Sequence, residues 1–147
     1  MYRWYNSLLM DSSSIIENLK SKGHKNTKVR QALVEILLTT HSPLSIIQLL
    51  QNLSKKGLKP NKTTVYREIE FLTNQGLVSG VDFGEGKKRY EGSGDHHHHI
   101  VCINCKSIKD ISEDVDLDKL HASVVKKVGY KPVGHSLEFF GLCSNCQ

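Results

Sequence analysis

Every cysteine of the chain stands in one of two knuckles, Cys102-x-x-Cys105 and Cys143-x-x-Cys146, and a run of four histidines, His96 to His99, stops two residues short of the first thiol. Two sulfurs on a two-residue knuckle can face one ion, and a second knuckle completes the tetrahedral shell that zinc accepts without geometric strain. The all-sulfur set therefore reads as a closed structural site. Imidazole nitrogen is a harder ligand, suited to iron, zinc, manganese or nickel, so two ligand classes side by side imply two metals with different tasks. A pair of disulfides would need an oxidising compartment, yet Met1 to Met10 carries no apolar stretch of signal-peptide length. A redox Cys-x-x-Cys would use one knuckle and leave the other idle. Four-cysteine iron–sulfur ligation fits the count, but zinc is the commoner occupant of widely separated knuckles.

The elements that must position these groups belong to a chain of 147 residues, enough for one domain or two half-sized ones, with no membrane span in its hydropathy and a cytoplasmic location expected. Its charge is divided unevenly: residues 1–91 hold 14 Lys and Arg against 8 Asp and Glu, whereas residues 92–147 hold 6 against 7. A basic half joined to a neutral half suits a polyanion-binding module attached to a second module.

Periodicity gives the basic half its shape. Thr27 can cap a helix with Val29, Leu33, Ile36 and Leu37 on one stripe. Ser45-x-x-Gln48 is a capping box for a second helix, with Ile46, Leu49, Leu50 and Leu53 inward and Gly57 as the stop. Asn61 caps a third, with Val65, Ile69 and Leu72 at core spacing and Gly76 ending it. Two capped helices across a short Gly-containing turn form a helix-turn-helix. The segments 77–83 and 87–91 flank a Gly84-Glu85-Gly86 turn and read as a hairpin, the wing of a winged helix. With the core side of the third helix buried, Lys62, Thr63, Thr64, Tyr66 and Arg67 are left outside it. Lys62 and the threonine hydroxyls can hold phosphates, Arg67 can offer a fork to guanine and Tyr66 can touch thymine methyls, while Lys87, Lys88 and Arg89 on the wing can bind flanking backbone of double-stranded DNA.

In these motifs the chain resembles the ferric uptake regulator family of metal-dependent bacterial repressors. The resemblance runs from about Ser13 to Gln147 and is carried by Thr27-x-x-Arg30, Thr63-Thr64-Val65-Tyr66-Arg67, Tyr90-Glu91, His96–His99 before Cys102-x-x-Cys105, and His135-Ser136-Leu137-Glu138-Phe139-Phe140-Gly141 before Cys143-x-x-Cys146. It implies an α+β protein: a winged helix-turn-helix domain over 1–91, with 1–9 an upstream extension if Met10 is the start, then a metal-binding dimerisation domain over 92–147. It also implies a homodimer on a palindromic operator, repressing when a divalent metal binds between the domains.

Side chains alternate along an extended chain, so His97 and His99 point one way and His96 and His98 the other. From the wing's end Glu91 can join His97 and His99, and Asp110 can reach over from a neighbouring strand around Ile108 and Ile111. This set matches the family's regulatory site. The opposite face, with His96, His98, Asp118 and His135, matches the family's additional site, His98 standing where members often have aspartate. A histidine usually supplied by the DNA-binding domain aligns here with Pro43, for which His41 is the available substitute.

In the second module Leu117, Leu120, Val124 and Val128 mark one helix face ended by Gly129, and a strand is expected over 131–141. A sheet apolar on both sides can pair with a second copy. His121 reads as a helix-surface residue. A zinc enzyme is the competing class, but a deaminase-type site needs a glutamate in the histidine run and proline before the first cysteine, and this chain has neither. A metal-storage or zinc-knuckle nucleic-acid protein would not need the winged helix. The sequence therefore points to a regulator and not an enzyme.

Overall fold

The computed structural model describes residues 11–40, 42–94, 97–111, 116–133 and 135–147, with the backbone alone at Leu117 and Asp118. His41 and His96 thus lie outside the described residues, as does the side chain of Asp118. The chain forms two compact units, Met1–Asp95 and His96–Gln147.

The first unit is built from capped helices. Helix α1 (Ser12–Ser21) starts where the Asp11 carboxylate accepts the Ser14 N–H at 2.9 Å, and it buries Ile15, Ile16 and Leu19. In α2 (Lys28–Thr39) the Thr27 hydroxyl accepts the Arg30 N–H at 3.1 Å. In α3 (Ile46–Lys55) the capping box closes both ways, the Gln48 amide oxygen accepting the Ser45 N–H at 2.8 Å while the Ser45 hydroxyl accepts the Gln48 N–H at 3.3 Å. Helix α4 (Lys62–Asn74) is capped by Asn61, which accepts the Thr64 N–H at 2.7 Å. Such caps satisfy donors that a helix start leaves orphaned. Leu33, Leu49, Leu53, Val65 and Leu72 are wholly enclosed where α2, α3 and α4 meet.

Strands β1 (Val78–Asp82) and β2 (Lys88–Gly92) form the antiparallel wing, Val78 opposite Gly92 and Asp82 opposite Lys88. At its tip the Asp82 carboxylate accepts the Gly84 N–H at 2.9 Å, and Gly84 and Gly86 both take positive φ, which non-glycine residues rarely adopt. Leu44 and Tyr90 exchange backbone hydrogen bonds of 2.8 Å, tying the approach to α3 to the middle of β2. At Gly92 the strand passes so near α2 that a Cβ would sit 3.0 Å from the Leu37 carbonyl oxygen. This anchoring fixes Glu91. The unit is a winged helix-turn-helix.

The second unit is a three-stranded sheet in the order β4 (Ile108–Ile111), β3 (His98–Cys102), β5 (Glu138–Gly141), with α5 (Leu117–Val128) between β4 and β5 in sequence. Asp116 caps α5, and Gly129 ends it at φ 71°. β3 and β4 are antiparallel, whereas β3 and β5 are parallel. Of the strand expected over 131–141, the last four residues form β5: among the described residues only these pair with β3, and Pro132 has no N–H for a ladder. With helices packed on one sheet and helices packed on each other, the architecture is α+β.

Candidate metal centre and nucleic-acid interface

The parallel register builds the sulfur site. Cys102 stands opposite Gly141, and the Ile103 N–H donates to the Gly141 carbonyl at 2.8 Å, so the chain arrives at Cys143 beside Cys102. The Cys143 N–H then points at Cys102 Sγ from 3.4 Å. Each knuckle closes on its own backbone, the Lys106 N–H donating to the Cys102 carbonyl and the Cys146 N–H to the Cys143 carbonyl, both at 2.9 Å. The first turn requires a left-handed residue, and Lys106 takes φ 62°.

All four sulfurs lie within 4.8 Å of one another, with Cys105 and Cys143 3.7 Å apart. Sulfurs at the corners of a tetrahedron about 2.3 Å from zinc are about 3.8 Å apart, while a disulfide needs about 2.05 Å. The cysteines are free thiols spaced for a metal. Backbone N–H groups of Cys143 and Cys105 bring the Cys102 thiol down to about 6. The Ser107 hydroxyl, 3.2 Å away, lowers Cys105, and a hydrogen bond to Cys143 pushes Cys146 up to about 12. Ionising all four together calls for a cation among them, and a soft four-sulfur set suits structural zinc.

The second ligand group lies along one short stretch of chain. Glu91, His97 and His99 each bring a ligand atom within 4.8 Å of the others, the two rings meeting edge to face at 4.8 Å between centroids. His99 is almost wholly buried and stands opposite Asp110 in the β3–β4 ladder, its Nε2 3.7 Å from Asp110 Oδ1. Asp110 reaches His99 but stands outside the mutual group. Mixed nitrogen and oxygen donors of this kind suit iron, zinc, manganese or nickel as a second divalent ion.

His98 faces the other way. Its ring lies 6.1 Å from that of His135, which in turn lies 5.6 Å from His121. His121 is therefore no simple surface residue: it is half-buried, with a fully enclosed Nε2. The signal was available, because position 121 falls four after Leu117 and one after Leu120, on the flank of the apolar stripe of α5.

On α4 the buried residues are Val65, Ile69 and Leu72, leaving Lys62, Thr63, Tyr66 and Arg67 exposed. The Thr64 hydroxyl donates to Asn61 Oδ1 at 2.9 Å, so its proton serves the helix cap. On the wing Lys87 and Lys88 are exposed, while Arg89 is paired with Glu85 at 3.2 Å. Glu68 turns inward, its carboxylate accepting from Arg30 Nε at 2.7 Å and Nη2 at 3.3 Å. The Arg30 guanidinium also donates to the Lys25 carbonyl and stacks 3.8 Å from the Phe71 ring centroid. His24 meets the same phenyl ring edge-on at 4.9 Å, a packing contact. No local pattern announces that Arg30 clamps α2 to α4, since the two partners are 38 residues apart.

The family model for the ferric uptake regulator family matches residues 21–140. The ferric uptake regulation protein of Bacillus subtilis (strain 168) is 33% identical over 137 residues, covering 90% of this chain and 91% of that one. That of Neisseria meningitidis serogroup C is 32% identical over 141 residues, covering 94% and 96%. Among solved structures, the Helicobacter pylori ferric uptake regulator, described as having three functional metal binding sites, superposes with a TM-score of 0.77 at 29% identity over 94% of this chain and 95% of that one.

Proposed function

We propose, given that this chain belongs to the ferric uptake regulator family, that it is a cytoplasmic, metal-responsive transcriptional repressor that binds a palindromic operator as a homodimer. Family members are transcription factors, and no helix of the described residues is long and apolar enough to cross a membrane. The observation that carries the reading is that one chain joins a basic winged helix-turn-helix to a second unit with a four-cysteine set, and carries Glu91, His97 and His99 as a further group able to hold a metal ion.

In this reading Cys102, Cys105, Cys143 and Cys146 hold structural zinc and keep the second unit folded in all states. Glu91, His97 and His99, joined by Asp110 and with His41 as a further donor, form the regulatory site. A divalent ion bound there supplies a link that restricts how the winged helix is carried on the second unit. His96, His98, Asp118 and His135 form the additional site. Lys62, Thr63, Thr64, Tyr66 and Arg67 face the major groove, with Thr64 accepting rather than donating, and Lys87, Lys88 and Arg89 face flanking phosphates.

Dimerisation is supported by the second unit's uncovered apolar surface: Tyr130 is 77% exposed and Phe140 55%, with Leu120, Val128 and Phe139 also exposed. Monomers rarely leave so many large apolar groups in water. Two recognition helices in a dimer must match major grooves recurring at about 34–36 Å, so restricting the wings restricts binding. The test is fluorescence anisotropy on a palindromic duplex selected from random sequence, with the cysteine zinc retained and manganese or iron(II) added or chelated. A gain of about tenfold or more, lost in His97→Ala, is expected; affinity indifferent to the second metal overturns the reading.

A further inference from the structure

Three of the described histidines, away from Glu91, form their own cluster. His98 on β3, His135 just before β5 and His121 on α5 come from three separate parts of the second unit, yet their rings stand in series at 6.1 and 5.6 Å between centroids, tilted by 58° and 64°. Imidazoles sharing one tetrahedral ion at about 2.0–2.1 Å per nitrogen place their ring centroids about 5 Å apart. The observed spacings exceed that, and among the described residues the three do not bring their ligand atoms within 4.8 Å of one another as Glu91, His97 and His99 do, so holding an ion requires the rings to turn inward. The Nε2 of His121 is enclosed and has no hydrogen-bond partner among the described residues, a condition that a cation would relieve and that simple ring packing leaves uncorrected.

We propose that His121 is a metal ligand of the additional site, adding its imidazole to those of His98 and His135 beside it and biasing the site toward zinc or cobalt over manganese. The inference rests on reading His98 and His135 as ligands. Its new content is the α5 histidine and the preference that follows. Neutral nitrogen donors favour borderline ions, whereas hard manganese depends on carboxylate oxygen.

The experiment is titration of the full-length protein with cobalt(II), the cysteine zinc retained and His97→Ala silencing the neighbouring group, read by visible absorption and by X-ray absorption of the bound cobalt. His121→Gln is expected to weaken the site about tenfold or more, at least what loss of an outer-shell partner of a ligand costs, and to remove one imidazole from the cobalt shell. Manganese should bind far more weakly than cobalt before the change. Two further measurements keep folding from confusing the result: the far-ultraviolet spectrum of His121→Gln, and an imidazole count one higher in the His97→Ala protein with His121 intact than in His97→Ala/His121→Gln. If His135→Gln loses the ion while His121→Gln keeps both affinity and imidazole count, His121 is a packing residue and the proposal falls alone. If neither change affects cobalt binding, the reading of the additional site falls with it.

Discussion

Replacing Arg30 with Met tests how the recognition helix is held. The arginine is 8% exposed and its pairing with Glu68 leaves side-chain exposures of only 10% and 14%. Arg30→Met keeps the aliphatic stem but deletes two hydrogen bonds to the carboxylate, one to the Lys25 carbonyl and the stacking on Phe71. Removing one partner of a buried pair strands the other charge and costs about 3–5 kcal/mol. Glu68 retains some access to water, so the lower end, about 3 kcal/mol, is the expected loss. For a unit of this size that lowers the melting temperature by roughly 10–20 °C. Thermal unfolding of the zinc-loaded full-length protein, followed by circular dichroism at the helical band, measures it. Arg30→Met/Glu68→Leu should recover more than half of the loss, because no uncompensated charge remains. A single-variant loss below about 1 kcal/mol, or a double variant no more stable than the single, would refute the clamp.

Ser45→Ala removes one arm of the closed capping box on α3 and should cost about 1 kcal/mol in the same unfolding assay. Arg67→Ala should weaken operator binding by about 1–3 kcal/mol and flatten its sequence preference, whereas Lys88→Ala should weaken all duplexes alike and reduce the salt slope, both read by anisotropy across salt concentrations. Zinc uptake by metal-free, reduced protein near neutral pH should release fewer than four protons, since the Cys102 thiol at about 6 is already ionised while Cys146 at about 12 must surrender its proton. Zinc affinity should fall as pH is lowered; release of four protons near neutrality, measured with an indicator dye, would contradict the Cys102 assignment.

Much of the first unit was legible because its determinants are local. Thr27, Ser45 and Asn61 announce their helices through caps within three residues, and the Gly84-Glu85-Gly86 turn announces the wing. The cysteine knuckles were equally plain from spacing, and period-two alternation separated His97 and His99 from His98. Helix α1 was overlooked although Asp11 is a good cap and Ile15, Ile16 and Leu19 have helical spacing, because the serines between them are weak helix formers. What remained hidden depends on pairing across distance. The parallel β3–β5 register that sets Cys143 beside Cys102, the Arg30–Glu68 clamp and the entry of His121 into the histidine cluster all join residues that no local pattern connects.

The central claim is a coupling between two binding events, and linkage makes it measurable as one number. If the ion at Glu91, His97 and His99 favours the operator-binding arrangement, operator DNA must raise affinity for that ion by the same factor by which the ion raises affinity for DNA. Isothermal titration of the zinc-retaining protein with manganese, in the presence and absence of saturating operator duplex, gives that factor directly. The account predicts tighter metal binding on DNA, about tenfold or more, and matching the anisotropy ratio; equal metal affinity with and without operator would contradict it.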